Sequence, residues 1–105
     1  MIWTPATKEE VAEILVELKR GLDPVVWSEF DKYMIEPKPC KIDRFGNRET
    51  AYVVACDAEW VVYFDDIEET FGTAKNVDGL LHEPADYGDL IVALRELEKH
   101  RSTGR

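Results

Sequence analysis

Long hydrophobic runs are missing from this sequence of 105 residues. The longest uninterrupted apolar stretch runs from Trp60 to Phe64, whereas a membrane-spanning helix needs ~20 apolar residues. The N-terminal segment Met1–Pro5 lacks both the basic start and the apolar region of a secretory signal. We therefore expect a chain with no membrane segment and no signal peptide, which stays in the cytoplasm.

Cysteine and histidine are scarce. The chain contains two cysteines, Cys40 and Cys56, and two histidines, His82 and His100. None of them has the close spacing that is typical of a zinc site. Free thiols in a reducing compartment are the expected state, with a disulfide as the less favoured alternative. A metal site would have to be assembled from residues far apart in sequence, so we expect neither a metal nor a cofactor.

Sequence motifs of enzymes are also missing. Gly46 and Gly72 are not followed by the lysine-bearing run of a phosphate-binding loop. No serine-centred nucleophile elbow and no kinase pattern is present. Cys56 lies within an apolar segment, where a thiol tends to be inert. The sequence therefore predicts a binding protein and not an enzyme.

Basic residues are almost missing from the middle of the chain. The net charge is -9, and residues 49–94 hold 11 acidic side chains and one basic side chain, Lys75. A field of this sign repels nucleic acids and anionic lipids, and it accelerates the approach of a basic protein. We therefore expect a protein partner and no direct binding to DNA, RNA or membranes.

Two helices are predicted at the N-terminus. Thr7 and Glu10 form a capping-box pattern that predicts a helix over 8–20. A second helix is predicted to begin at Pro24, a residue type that suits the first helical turn. We expect it to end near Glu36, because the prolines that follow cannot continue a helix. The short connection between the two predicts a helical hairpin.

Strand patterns follow the helices. Residues 41–45 alternate with period two, residues 50–56 are β-branched and apolar, and residues 60–64 are apolar throughout. Their short connections predict a three-stranded antiparallel meander. Residues 69–73 or residues 80–83 could add a fourth strand at an edge, and the sequence does not distinguish between them.

A final helix completes the predicted fold. Asp86 and Asp89 give an N-terminal cap pattern, and Leu90 to His100 has a helical apolar stripe. The expected fold class is α+β, with an N-terminal helical hairpin, a three- to four-stranded antiparallel β-meander and a C-terminal helix. We expect one domain over 1–105, with a frayed tail at 102–105. Helices should cover one face of the sheet and leave the other solvated, available to a partner.

A cluster of carboxylates follows the third predicted strand: Asp65, Asp66, Glu68 and Glu69. Paired carboxylates can bind Mg²⁺ or act as acid and base, but such sites usually also use a lysine, arginine or histidine, and this segment has none. A solvated acidic loop and a docking surface for a basic partner are the other interpretations, and we favour the docking surface. Asp65 or Asp66 could also cap a short helical turn.

Alternation along the third predicted strand separates its aromatic residues. Trp60 and Phe64 share one face, and Tyr63 and Asp65 share the other. Trp60 is the preferred core residue, and an exposed Asp65 would make Tyr63 an exposed aromatic anchor for a partner. The predicted partner-binding residues are Asp57, Glu59, Tyr63, Asp65, Asp66, Glu68, Glu69, Glu83, Asp86, Tyr87 and Asp89.

Two segments of the second half suggest a class of function. The first is the hydrophobic strand and turn ending in Phe64-Asp-Asp-Ile-Glu-Glu69, and the second is the helix start Tyr87-Gly-Asp89. Together they resemble small bacterial immunity proteins, the antidotes encoded beside contact-dependent-inhibition and other polymorphic toxins. The resemblance implies a cytoplasmic inhibitor of one cognate toxin, often a basic nuclease, and it implies no particular contact residues.

Two other functions remain alternatives at this point. A regulatory or adaptor module of a cytosolic complex would have the same size, charge and lack of motifs. A divalent-metal-dependent hydrolase would use the carboxylates after the third strand. The predicted function is an inhibitor that neutralises a basic toxin through an acidic surface.

Overall fold

Three helices and five strands make up the described chain, which comprises residues 6–44, 46–65 and 68–103 of a computed structural model. The predicted α+β class is confirmed. The helices are α1 (Lys8–Arg20), α2 (Pro24–Phe30) and α3 (Leu90–Thr103), with a 3-10 turn at Asp31–Tyr33 after α2. The strands are β1 (Met34–Arg44), β2 (Asn47–Asp57), β3 (Trp60–Asp65), β4 (Thr70–Val77) and β5 (Leu80–Gly88).

Helix α1 begins at the predicted capping box. The Glu10 N–H donates to Thr7 Oγ1 over 3.1 Å, and the Thr7 N–H donates back to Glu10 Oε1 over 3.2 Å. These bonds satisfy two amide groups that the first helical turn leaves without a partner. The predicted bounds of this helix are confirmed.

Helix α2 is shorter than predicted. It begins at Pro24 as expected but ends at Phe30, and the chain enters β1 at Met34. The expectation of a helix to Glu36, as the second arm of a helical hairpin, is therefore wrong. Pro37 is tolerated in β1 because it lies where the pairing with β2 is irregular, between Met34 and Lys38, whereas Pro39 is paired with Tyr52.

The sheet has five strands and closes into a barrel. Consecutive strands pair antiparallel, and a short parallel ladder of Lys41 with Leu80 and Ile42 with Leu81 joins β1 to β5. The prediction of three or four strands is therefore wrong. Both alternatives for the fourth strand are strands, since 69–73 overlaps β4 and 80–83 lies in β5.

The barrel has apolar side chains on both faces of its sheet. One cluster consists of strand residues alone and fills the barrel: Cys40, Ile42, Ala51, Val53, Val61, Tyr63, Ala74 and Leu81. A second cluster joins strand residues such as Val62 and Phe64 to all three helices. The predicted solvated face of the sheet does not exist over these residues, because closure of the barrel buries it.

Helix α3 packs across the barrel and begins where predicted, at Leu90. The Asp89 carboxylate caps it by accepting a hydrogen bond from the Ile91 N–H over 3.0 Å. The helix continues to Thr103, so the first half of the predicted frayed tail is helical, and 104–105 lie outside the described residues. No helix in the described ranges combines the length and hydropathy needed to cross a membrane.

Candidate functional site

The β3–β4 turn and the β5–α3 connection meet at one end of the barrel. Asp65 pairs with Thr70, and the Thr70 hydroxyl donates to Asp86 Oδ2 over 2.8 Å. This bond brings the two connections together. We call the described carboxylates of this region the acidic end: Asp65, Glu68, Glu69, Asp86 and Asp89.

The turn after β3 is built around Asp65. This residue is only 6% exposed, and its Oδ1 lies 3.4 Å from the Glu68 N–H that donates to it. Glu69 has a positive φ of 56°, the left-handed conformation that reverses the chain into β4. Asp65 therefore supports the turn, although the described residues 68–69 form no helical turn for it to cap. Contact with a partner is left to Glu68 and Glu69, which are exposed.

The last residues of β5 and the start of α3 supply two further exposed carboxylates, Asp86 and Asp89. Asp86 Oδ1 accepts from the Gly88 N–H over 3.0 Å, while its Oδ2 accepts from Thr70. Asp89 caps α3, where the positive end of the helix dipole stabilises a carboxylate. Tyr87, between them, is half-buried and packs against the cluster beneath the helices. Both acids are thus held in fixed positions while remaining open to solvent.

Asp57, Glu59 and Glu83 do not belong to this end. Asp57 pairs with Trp60 at the start of β3, and Trp60 pairs with Lys75. Glu59 lies at the same place, with its Oε1 3.7 Å from Lys75 Nζ. Glu83 is exposed in β5. The predicted acids therefore lie at several separate places on the barrel and do not form one surface. Asp66 lies outside the described residues.

Tyr63 is not an exposed anchor. Its side chain is 1% exposed and belongs to the cluster that fills the barrel. The alternation predicted along β3 is correct, but the face that Tyr63 shares with Asp65 points into the barrel. A Cβ added to Gly72 would lie 2.7 Å from the Tyr63 hydroxyl, so the glycine leaves the room that the phenol occupies.

Trp60 was predicted to be a core residue, and it is only partly buried. It is partly buried against the cluster beneath the helices, and its ring stacks on His100 with 3.7 Å between centroids and 5° between planes. This contact joins the start of β3 to the last turns of α3. No local pattern in the sequence predicts this contact, because Trp60 and His100 lie far apart along the chain.

The thiols are free, as predicted. Cys40 lies in the barrel interior and is 5% exposed, and Cys56 is half-buried. Burial raises the pKa of the Cys40 thiol above its ordinary value, and the nearby positive charge of Lys38 opposes that effect. Within the described ranges, no three of the histidine, cysteine, aspartate and glutamate side chains are grouped so that they could hold a metal ion.

Helix α1 carries a feature that the sequence analysis missed. Five residues on one face of the helix line a groove of about 470 Å³, the α1 groove: Glu10, Glu13, Ile14, Glu17 and Leu18. Their spacing of three and four residues places them on one face of the helix. That spacing is visible in the sequence.

Comparisons of the chain with protein-family models, with curated proteins and with solved structures gave no match.

Proposed function

We propose that this protein is an immunity-type inhibitor that binds a basic toxin domain, such as a nuclease, through the acidic end. The observation that carries the proposal is the convergence of four exposed carboxylates from two connections: Glu68, Glu69, Asp86 and Asp89. The resemblance of the second half to immunity proteins supports the same class of function. Its place of action would then be the cytoplasm, where an antidote meets a toxin that enters the cell.

Charge accounts for how such an inhibitor would work. The lone basic side chain between residues 49 and 94 is Lys75, which is paired with Glu59 at the other end of β3. Negative potential at the acidic end is therefore not offset by a lysine or arginine of the β3–β5 segment. A basic nuclease binds phosphates in its active site, and carboxylates presented there would occupy the same positions. Steering of this kind raises association rates to about 10⁸ M⁻¹s⁻¹ or more.

The rigid support of the acidic end favours tight binding. At the β5–α3 side the Gly88 N–H donates to Asp86 and the Ile91 N–H donates to Asp89. In the β3–β4 turn the Glu68 N–H donates to Asp65. Beneath it, Phe64 and Phe71 pack against each other with ring centroids 5.0 Å apart. Groups that are fixed before binding lose little conformational entropy when a partner arrives. A set of carboxylates on such a scaffold is suited to recognise a fixed pattern of lysines and arginines.

Co-expression with the toxin domain encoded by the neighbouring gene tests the proposal. Growth should be rescued by the wild-type chain, and the two proteins should co-purify as a stoichiometric complex. The double charge reversal Glu68→Lys with Glu69→Lys should weaken rescue of growth. The control is Glu9→Lys with Glu29→Lys, which makes an equal change of charge at two exposed helix positions and should leave rescue unchanged. Absence of both rescue and complex would contradict the proposal, and capture of a housekeeping protein instead would favour an adaptor.

A further inference from the structure

The α1 groove is lined by two kinds of side chain. Ile14 and Leu18 form its apolar part, and three glutamates, Glu10, Glu13 and Glu17, line the rest. From Glu10 to Leu18 the groove follows the helix for about 12 Å, at the 1.5 Å rise of an α-helix.

The basic side chains of α1 are directed to other neighbours. Lys8 Nζ lies 3.6 Å from Glu36 Oε2 in β1, and Lys19 Nζ lies 5.5 Å from the centre of the Trp27 ring in α2. Arg20 alone contacts a groove residue, with its Nη1 2.7 Å from Glu17 Oε1. The groove side of the helix therefore has an excess of negative charge, and like charges three or four residues apart destabilise a helix by several tenths of a kcal/mol each.

The apolar residues of this side are only partly used in packing. Ile14 is half-buried and packs against the cluster beneath the helices, whereas Leu18 is 38% exposed. Among the described residues, α1 makes most of its contacts with the barrel through β1. This face of α1 thus combines the accessible side chain of Leu18 with three carboxylates. Glu10 accepts from Thr7 in the capping box and Glu17 pairs with Arg20, which leaves one positive charge against three negative charges.

We propose that the α1 groove is a second docking surface, which takes a cationic amphipathic helix of a partner protein. Apolar side chains of that helix would lie against Ile14 and Leu18, and its lysines or arginines would pair with Glu13 and Glu17. An elongated groove along two turns of a helix suits a helical occupant that presents residues at matching three- and four-residue spacing. The carboxylates select against acidic or neutral helices by charge, which also excludes nucleic acids as ligands.

This surface is separate from the acidic end and does not depend on the inhibitor function proposed above. The two surfaces are built from different elements, one from α1 and the other from the β3–β4 turn and the start of α3. Charge reversal at one is therefore a control for charge reversal at the other. The groove variant is Glu13→Lys with Glu17→Lys, and the matched variant is Glu68→Lys with Glu69→Lys, which makes the same change in net charge.

The test uses the full chain and a synthetic amphipathic helix of leucine and lysine, about 14 residues long. Binding is measured by calorimetry, and the contact residues are mapped by amide chemical shifts. A second peptide with glutamate in place of lysine serves as the ligand control. We expect the lysine peptide to shift the amides of residues 10–18, the groove variant to bind about tenfold more weakly, and the matched variant to bind about as well as wild type. Leu18→Ser should weaken binding about fivefold, and melting curves should show that each variant is folded.

Three outcomes would overturn the proposal. Equal weakening by the two charge-reversed variants would show attraction by net charge alone. Binding of the glutamate peptide would show that the groove does not select cations. Self-association of the protein that is lost in the groove variant would show that a second copy of this chain is the occupant.

Discussion

The Thr70 hydroxyl donates a hydrogen bond to Asp86 Oδ2 over 2.8 Å, and this bond joins the two connections of the acidic end. Thr70 is the first residue of β4, directly after the turn that carries Glu68 and Glu69. Asp86 belongs to β5 and accepts a second bond from Gly88. Carboxylates on the two connections repel each other, so a bond between the connections opposes their separation.

Replacing Thr70 with valine removes this bond while keeping a β-branched residue in the strand. A hydrogen bond of this kind contributes about 1 kcal/mol, so the melting temperature of Thr70→Val should fall by about 4–8 °C for a domain of this size. Thr70→Ser retains the hydroxyl and serves as the control. A melting temperature for Thr70→Val equal to that of wild type would show that the connections are held by other contacts.

Gly72 should be intolerant of any side chain. A Cβ at this position would meet the Ala85 carbonyl oxygen and the Tyr63 hydroxyl, both of which are fixed by the barrel. We expect Gly72→Ala to cost about 1–3 kcal/mol in the free energy of unfolding, as overpacking of a core does. Gly21→Ala is the matched control, because the nearest atom to its added Cβ lies 3.7 Å away. Chemical denaturation checks both, and equal stability of the two variants would contradict the close packing of Tyr63 against Gly72.

Cys40 should react slowly with thiol reagents. Burial raises the pKa of this thiol, so the folded protein holds its proton at pH values where an exposed thiol begins to ionise. The Cys56→Ser variant, in which Cys40 is the remaining cysteine, should therefore be labelled only as the barrel opens. The Cys40→Ser variant, which keeps the half-buried Cys56, should be labelled faster. Labelling of Cys40 at the rate of an unfolded peptide would be inconsistent with its burial.

The same shift gives a direction for the effect of pH on stability. Because the folded state raises the pKa of Cys40, the unfolded state releases that proton first as the pH rises. The contribution of Cys40 to stability is therefore complete below the ordinary thiol pKa and is lost as the pH rises through the raised value. Comparison of wild type with Cys40→Ser across alkaline pH isolates this contribution.

The stack of Trp60 on His100 should couple the start of β3 to the end of α3. Stacked aromatic pairs contribute about 0.5–1.5 kcal/mol beyond the area that they bury. A double-mutant cycle with Trp60→Leu and His100→Leu should return a coupling free energy in that range. The fluorescence of the tryptophans should also change in His100→Leu, because the ring 3.7 Å from Trp60 is removed. A coupling near zero would mean that the last turns of α3 are held by the apolar cluster alone.

Local signals in the sequence predicted local structure well. Thr7 with Glu10 and Asp89 before Leu90 are caps whose partners lie within three residues, so the sequence contains all of the interacting groups. The alternation along β3 was also predicted correctly. These features depend on spacing within one segment, and spacing is directly visible in a sequence.

Features that depend on distant parts of the chain were not predicted. Closure of the barrel requires β1 to meet β5, and the exposed, polar middle of β5 hides its character as a strand. Without closure the face of Tyr63 would be solvated, and closure is the reason that Tyr63 is a core residue and not a contact residue. Part of the acidic end was predicted, because Glu68 and Asp86 were both among the expected partner-binding residues. The hydrogen bond from Thr70 to Asp86 was not predicted, because it depends on strand register.

The most direct test of the inhibitor function is the rate at which the toxin domain associates with charge-matched variants at increasing salt concentration. Glu68→Lys with Glu69→Lys should slow association at low salt by at least about tenfold and flatten its dependence on salt, because steering by the acidic end is lost. Glu9→Lys with Glu29→Lys should retain most of the wild-type rate and salt dependence. Equal effects of the two variants, or no effect of either, would contradict the assignment of toxin binding to the acidic end.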